Sequence, residues 1–184
     1  MGLSRIHIMG ASGSGVTTLG RDVAARTGFE QLDVDDFFWL PTVPPFTAKR
    51  PTAERLQLLT GALDERREWV LTGSLMDWGD GLIERFDLVV FLYLPSDIRM
   101  ARLAARERQR FGALIEPGGA MHAHHLEFMT WAGGYDTGDF SGRSLKRHEA
   151  WLGKVACPVL RLDGAQPPEL LVERVVAANG ANAR

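Results

Sequence analysis

Apolar positions along the chain switch between short unbroken runs and helical spacings. Ile6 to Met9 forms one short run, and Leu19 and Val23, one turn apart, mark a helix from about Thr17 to Arg26 that stops at Gly28. Phe29 to Val34 reads as a second strand, and Leu56, Leu59 and Leu63 recur at the spacing of a helix that begins at Pro51-Thr52. Trp69 to Ser74 gives a third strand. Leu88 to Leu94 gives a fourth, and its lack of alternation implies burial on both faces, hence a parallel sheet covered by helices. Pro95-Ser96 opens a helix, Ser144 to Leu152 another, Val159 to Leu162 a fifth strand, and Pro168 to Ala178 the last helix, ahead of a Gly-Ala-Asn-Ala-Arg end expected to fray. Strands alternating with helices predict an α/β fold. No repeat or linker divides the chain, so residues 1–184 read as a single domain with an insert at about 112–142.

Between the first strand and the first helix lies Gly10-Ala11-Ser12-Gly13-Ser14-Gly15-Val16-Thr17-Thr18. Glycines there let backbone N–H groups turn inward around a phosphate, and the helix N-terminus adds partial positive charge. Gly10 and Gly15 match the glycines of G-x-x-x-x-G-K-[ST], and Thr17 matches its Mg²⁺-ligating hydroxyl. Val16 stands where that motif has lysine. The alternative is a glycine-rich turn in another α/β fold, and the position between a buried-type strand and a helix favours the phosphate loop.

Asp33-Val34-Asp35-Asp36 ends the second strand. In a strand Asp33 and Asp35 face one side, at the sheet edge where ligands of open α/β folds bind, which suits a metal or hydroxyl role; a solvated acidic turn is the plainer reading. An aromatic and proline-rich stretch, Phe37 to Phe46, then walls a pocket or packs as a rigid loop, and Lys49-Arg50 suit an anionic group or simply solvent. On the helix after Pro95, Arg99, Arg102, Arg106 and Arg110 fall within an arc of about 80°. Like charges so placed repel unless water or an anion compensates. The segment Gly112 to Gly142 holds seven glycines in 31 residues with Phe128, Trp131, Tyr135 and Phe140 interspersed, which suggests a lid closing between the arginine helix and Arg143. His122, His124 and His125 lie inside it, without the flanking pattern of a zinc site.

Composition narrows the classes. The 184 residues are 45% hydrophobic and 24% charged, with a formal net charge of -2, which argues against a duplex nucleic-acid partner. The lone Cys157 excludes an intramolecular disulfide and fits a reducing compartment, and no apolar run reaches membrane-helix length, so the expectation is a cytoplasmic protein without a membrane partner.

With these motifs in place, the chain resembles the P-loop small-molecule and nucleoside monophosphate kinases, the group that includes adenylate kinase and shikimate kinase. The resemblance follows the element order: phosphate loop, carboxylates after the second strand, Thr72-Gly73-Ser74 after the third, an arginine-bearing lid after the fourth and Asp163-Gly164 after the fifth. It implies a three-layer P-loop NTPase fold with a parallel five-stranded sheet in order 2-3-1-4-5. It also implies ATP phosphates on Gly10 to Thr18 and Mg²⁺ at Thr17 and Asp33. Asp33 and Asp35 correspond to the Asp-x-Asp that serves metal and substrate hydroxyl in shikimate kinase. Gly73 is then expected near the substrate, Asp163-Gly164 beside the adenine, Arg106 or Arg110 against base or phosphates, and Arg143 in the lid. Two positions depart: Val16 removes the Walker A lysine, and no Walker B aspartate closes the third strand. The implied activity is transfer of the ATP γ-phosphate to a small-molecule or nucleotide acceptor; the alternatives are a non-catalytic nucleotide switch and an ATP hydrolase.

Overall fold

In the computed structural model residues 4–138 and 142–181 are described; Phe140 of the insert and the terminal residues Asn182 to Arg184 lie outside them. Five strands form: β1 Arg5–Gly10, β2 Glu30–Asp33, β3 Trp69–Thr72, β4 Leu88–Tyr93 and β5 Val159–Asp163. They make one parallel sheet in the order β2-β3-β1-β4-β5. Ile8 pairs with Thr72, Asp33 with Thr72, and Gly10 with Leu92, so the carboxyl ends of four strands finish at one edge. The strand order reverses at β1, between β3 and β4, and ligands of open α/β sheets bind at such a switch point.

Alternation along β1 supplies both faces of the core. Ile6 and Ile8 join Val70 and Val90 against Leu19 and Val23 of α1 (Val16–Thr27) and Leu171 and Val175 of α7 (Pro168–Ala181). Met9 points the other way with Leu71, Val89 and Phe91, meeting Leu59 and Leu63 of α3 (Thr52–Asp64) and Trp151 and Leu152 of α6 (Leu145–Leu152). Each such aliphatic side chain contributes about 1.5–3 kcal/mol on burial, which is why helices cover both faces.

The second strand is shorter than its apolar pattern predicts. Val34–Phe38 is a one-turn helix, α2, because the Asp33 side chain accepts from the Asp35 N–H as an N-cap and Asp35 and Asp36 occupy the first turn. Asp33 and Asp35 therefore do not share a strand face; the cap, not β pleating, brings them together.

Helix α4, Ser96–Phe111, follows β4, and the insert after it is largely helical: a 3₁₀ turn at Gly112–Ile115, then α5 at His122–Gly133. Arg99 does not continue the exposed arginine stripe. It is fully buried, donating from Nη1 to Ala132 O at 2.9 Å and from Nη2 to Asp136 Oδ2 at 2.7 Å, so it fastens the end of α5 to α4. Among the described residues no helix is long and apolar enough to cross a membrane.

Candidate active site

A cleft of about 1570 Å³ opens at the carboxyl edge of the sheet, large for a single small molecule and roomy enough for a nucleotide plus an acceptor. Every residue from Gly10 to Thr18 lines it. The loop has its shape for steric reasons. A Cβ on Gly10 would sit 2.4 Å from Leu92 O and 2.7 Å from Ser14 Oγ, and Gly15 takes φ 97° to start α1. Ser14 closes the turn, its N–H and its hydroxyl both donating to Ala11 O at 3.1 and 2.8 Å. Among the described residues no side chain caps α1, so the first N–H groups of that helix remain available to an anion.

Val16 explains the missing lysine only in part. Its side chain is 9% exposed and joins the apolar cluster of Ile6, Ile8 and Leu19, yet it also borders the cleft. The loop thus offers phosphates backbone N–H groups but no side-chain cation at this position.

Asp33 organises the floor. Its Oδ2 accepts from Thr17 Oγ1 and from Thr72 Oγ1, both at 2.9 Å, while Oδ1 accepts from the Asp35 N–H at 3.0 Å. Thr72, at the end of the third strand where no aspartate stands, is fully buried and serves to hold Asp33 in place. Two hard oxygen donors, the Thr17 hydroxyl and the Asp33 carboxylate, lie side by side at the mouth of the loop, a donor set that fits Mg²⁺. Among the described residues no group of three or more His, Cys, Asp or Glu is placed to hold a metal ion.

Asp35 opens on the cleft beside this set. Desolvation by the surrounding walls raises its pKa, the Asp33 charge raises it further, and the Arg143 and Arg106 guanidiniums pull it back. Those two arginines thus act on Asp35 although they come from distant parts of the chain. Arg143 stacks 5.5 Å from the Trp131 ring centre, and burial lowers its pKa against the opposing pull of Asp35. Arg106 donates from Nη2 to Glu107 Oε1 at 3.1 Å. Arg110 lies over Phe46 at 4.8 Å, and Arg102 reaches Gly164 O at 3.5 Å beside the turn after β5.

The sequence pair Lys49-Arg50 divides. Arg50 is engaged by Glu54 at 2.5 Å and by Phe37 O at 3.1 Å, whereas Lys49 borders the cleft over Phe38. Arg55, which sequence reasoning passed over, is the stronger cation there. It is 8% exposed, stacks 3.9 Å from the Phe38 ring centre and 5.8 Å from Trp78, and lines the cleft. Among the described residues no carboxylate pairs with it. Its sequence signal was a charge four residues before Leu59 on the helix's apolar stripe. Of the three histidines, His122 pins α5 through Ile115 O at 2.8 Å, while His124 and His125 face the cleft.

No protein-family model matches the chain. Protein YqaC of Bacillus subtilis (strain 168) is 41% identical over 171 residues, spanning 93% of this chain and 94% of YqaC. A cytidylate kinase of Methanocorpusculum labreanum is 27% identical over 139 residues, 67% of this chain and 77% of that kinase. Among solved structures, shikimate kinase from Bacteroides thetaiotaomicron superposes with a TM-score of 0.59 at 17% identity, covering 94% of this chain and 96% of that one. The fold is that of the P-loop kinases.

Proposed function

The chain belongs to the same family as protein YqaC of Bacillus subtilis, and from that premise and the P-loop kinase fold we propose that it is a kinase moving the γ-phosphate of ATP to a small-molecule acceptor. The observation that carries the reading is the hydrogen-bonded set Thr17, Asp33 and Thr72 at the phosphate loop, with Asp35 beside it under the influence of Arg106 and Arg143. Thr17 and Asp33 would hold Mg²⁺, which when bound neutralises charge on the phosphates. The backbone from Gly10 to Thr18 cradles those phosphates. Arg106, Arg110 and Arg143 meet the charge that develops on the transferred group, standing in for the absent lysine. Asp35, whose pKa is raised by desolvation and by the Asp33 charge, takes the proton of an acceptor hydroxyl. Arg55 and Lys49, between aromatic walls, suit an anionic group on the acceptor. The insert from about 112 to 142 acts as a lid on this one domain, excluding water during transfer.

The burial of Val16 in the apolar cluster favours a second reading, a nucleotide-binding switch without turnover. A coupled ADP-release assay with ATP, Mg²⁺ and pools of hydroxy acids, sugars, nucleosides and nucleoside monophosphates separates the readings. ADP release that requires one pool supports the kinase. Release without any acceptor means a hydrolase, and ATP binding without release means the switch.

A further inference from the structure

Glu107 is a carboxylate with no role in the proposed transfer chemistry, yet it is 5% exposed and lines the nucleotide cleft. On α4 it follows Leu103 by one turn, on the buried side of the helix. Its Oε1 accepts from Arg106, and its Oε2 lies 3.9 Å from Nδ1 of His125, which belongs to α5. That nitrogen is buried and has no hydrogen-bond partner among the described residues. An approach of about 1 Å would make the bond. We propose that Glu107 and His125 are positioning residues that couple Arg106 to the lid: when terminal phosphates draw the Arg106 guanidinium away, Glu107 accepts from His125 Nδ1–H instead and pulls α5 onto α4.

The exchange follows from burial. A buried carboxylate that loses its cation is strongly destabilised unless another donor replaces it, and the unpartnered Nδ1 of His125 beside it is a donor in the tautomer protonated there. Phosphate binding by Arg106 is therefore tied to movement of α5, and the lid closes on nucleotide rather than on acceptor. Arg106 itself is 43% exposed, so its side chain has room to make the swing.

This coupling rests on the ATP-site reading, and the test separates the two. ATP·Mg²⁺ binding is measured by calorimetry, and amide exchange of His122–Gly133 with and without ATP, for wild type, His125→Ala, Glu107→Gln, Arg106→Ala and the His125→Ala/Arg106→Ala double variant. In the wild type ATP should increase α5 protection. His125→Ala should weaken ATP about tenfold and abolish that increase. In the Arg106→Ala background the same change should have no further effect. Glu107→Gln, a neutral acceptor that holds Arg106 and His125 less tightly, should tighten ATP and leave a smaller gain in α5 protection than in the wild type. Full additivity of His125→Ala and Arg106→Ala, or unaltered α5 protection in His125→Ala, overturns the coupling and leaves the nucleotide site standing. Absence of ATP binding in a folded wild type overturns the nucleotide site and the coupling with it.

Discussion

Replacing Val16 with lysine restores the one charge that the phosphate loop lacks, and two opposing magnitudes set the outcome. Val16 is 9% exposed among Ile6, Ile8 and Leu19, so removing it forfeits up to about 2 kcal/mol of burial. The lysine stem recovers part of this, because its methylenes can cover the same neighbours while the ammonium reaches the cleft that Val16 already borders. A net loss of about 1 kcal/mol in unfolding free energy is expected, readable by urea denaturation. Against it, a charge-assisted hydrogen bond to the terminal phosphates adds roughly 1.5–3 kcal/mol, or about one to two decades in ATP affinity. Val16→Met supplies the control: a long side chain without charge. Calorimetric titration with ATP·Mg²⁺ should show Val16→Lys binding at least tenfold tighter than both wild type and Val16→Met. Equal affinity in folded Val16→Lys and Val16→Met would refute the reasoning, because position 16 would then not look onto phosphates.

Asp35→Asn should lower kcat by two or more orders of magnitude while ATP affinity changes less than about threefold, since the base is lost and the loop is untouched; unchanged steady-state rates would reduce Asp35 to a solvated turn. Arg55→Ala should raise KM for the acceptor found in the ADP-release assay about tenfold or more with KM for ATP unmoved, and equal effects on both would place Arg55 outside the acceptor site. Stability should fall as pH drops below about 6.5. Burial lowers the pKa of His7 to about 4 and of His148 to about 3, so between those values and 6.5 the unfolded chain binds more protons. For His7 alone the full effect is about 3 kcal/mol, offset in part by Asp35 and Asp36, whose raised pKa values favour the folded state on protonation. Urea unfolding midpoints that are level between pH 7.5 and pH 5 would contradict this.

What the sequence disclosed was local in the chain. The spacing of Gly10, Gly15 and Thr17 acts through the backbone of nine consecutive residues, and the strand runs carry their own periodicity, so the loop and the strands needed no distant partner, whereas the sheet order came from the resemblance to the P-loop kinases. The apolar pattern overran at Val34 because a side-chain cap competed with it, and the cap depended on where Asp33 ended the strand. Thr72 was visible only as the residue replacing an expected aspartate. Its hydroxyl meets Asp33 across 39 positions, and Arg99 meets Asp136 across 37, separations at which periodicity says nothing.

One local signal nevertheless points to those distant pairings. On α3 the buried residues are Arg55, Leu59 and Leu63, and on α4 they are Arg99, Leu103 and Glu107. Each set is spaced by four and includes charges on a stripe that leucines drive inward. Burying a charge is unfavourable unless a partner or a ligand compensates, so a charged residue in register with core leucines must have one or the other waiting. Arg99 has Asp136 and Glu107 has Arg106, whereas Arg55 has aromatic faces, one bond from its Nε to Arg50 O at 2.5 Å and, among the described residues, no carboxylate. Of the three, Arg55 therefore leaves the most charge for a bound anion to meet, and the Arg55→Ala titration reads whether the acceptor's charged end lies against α3 rather than against the arginines of α4.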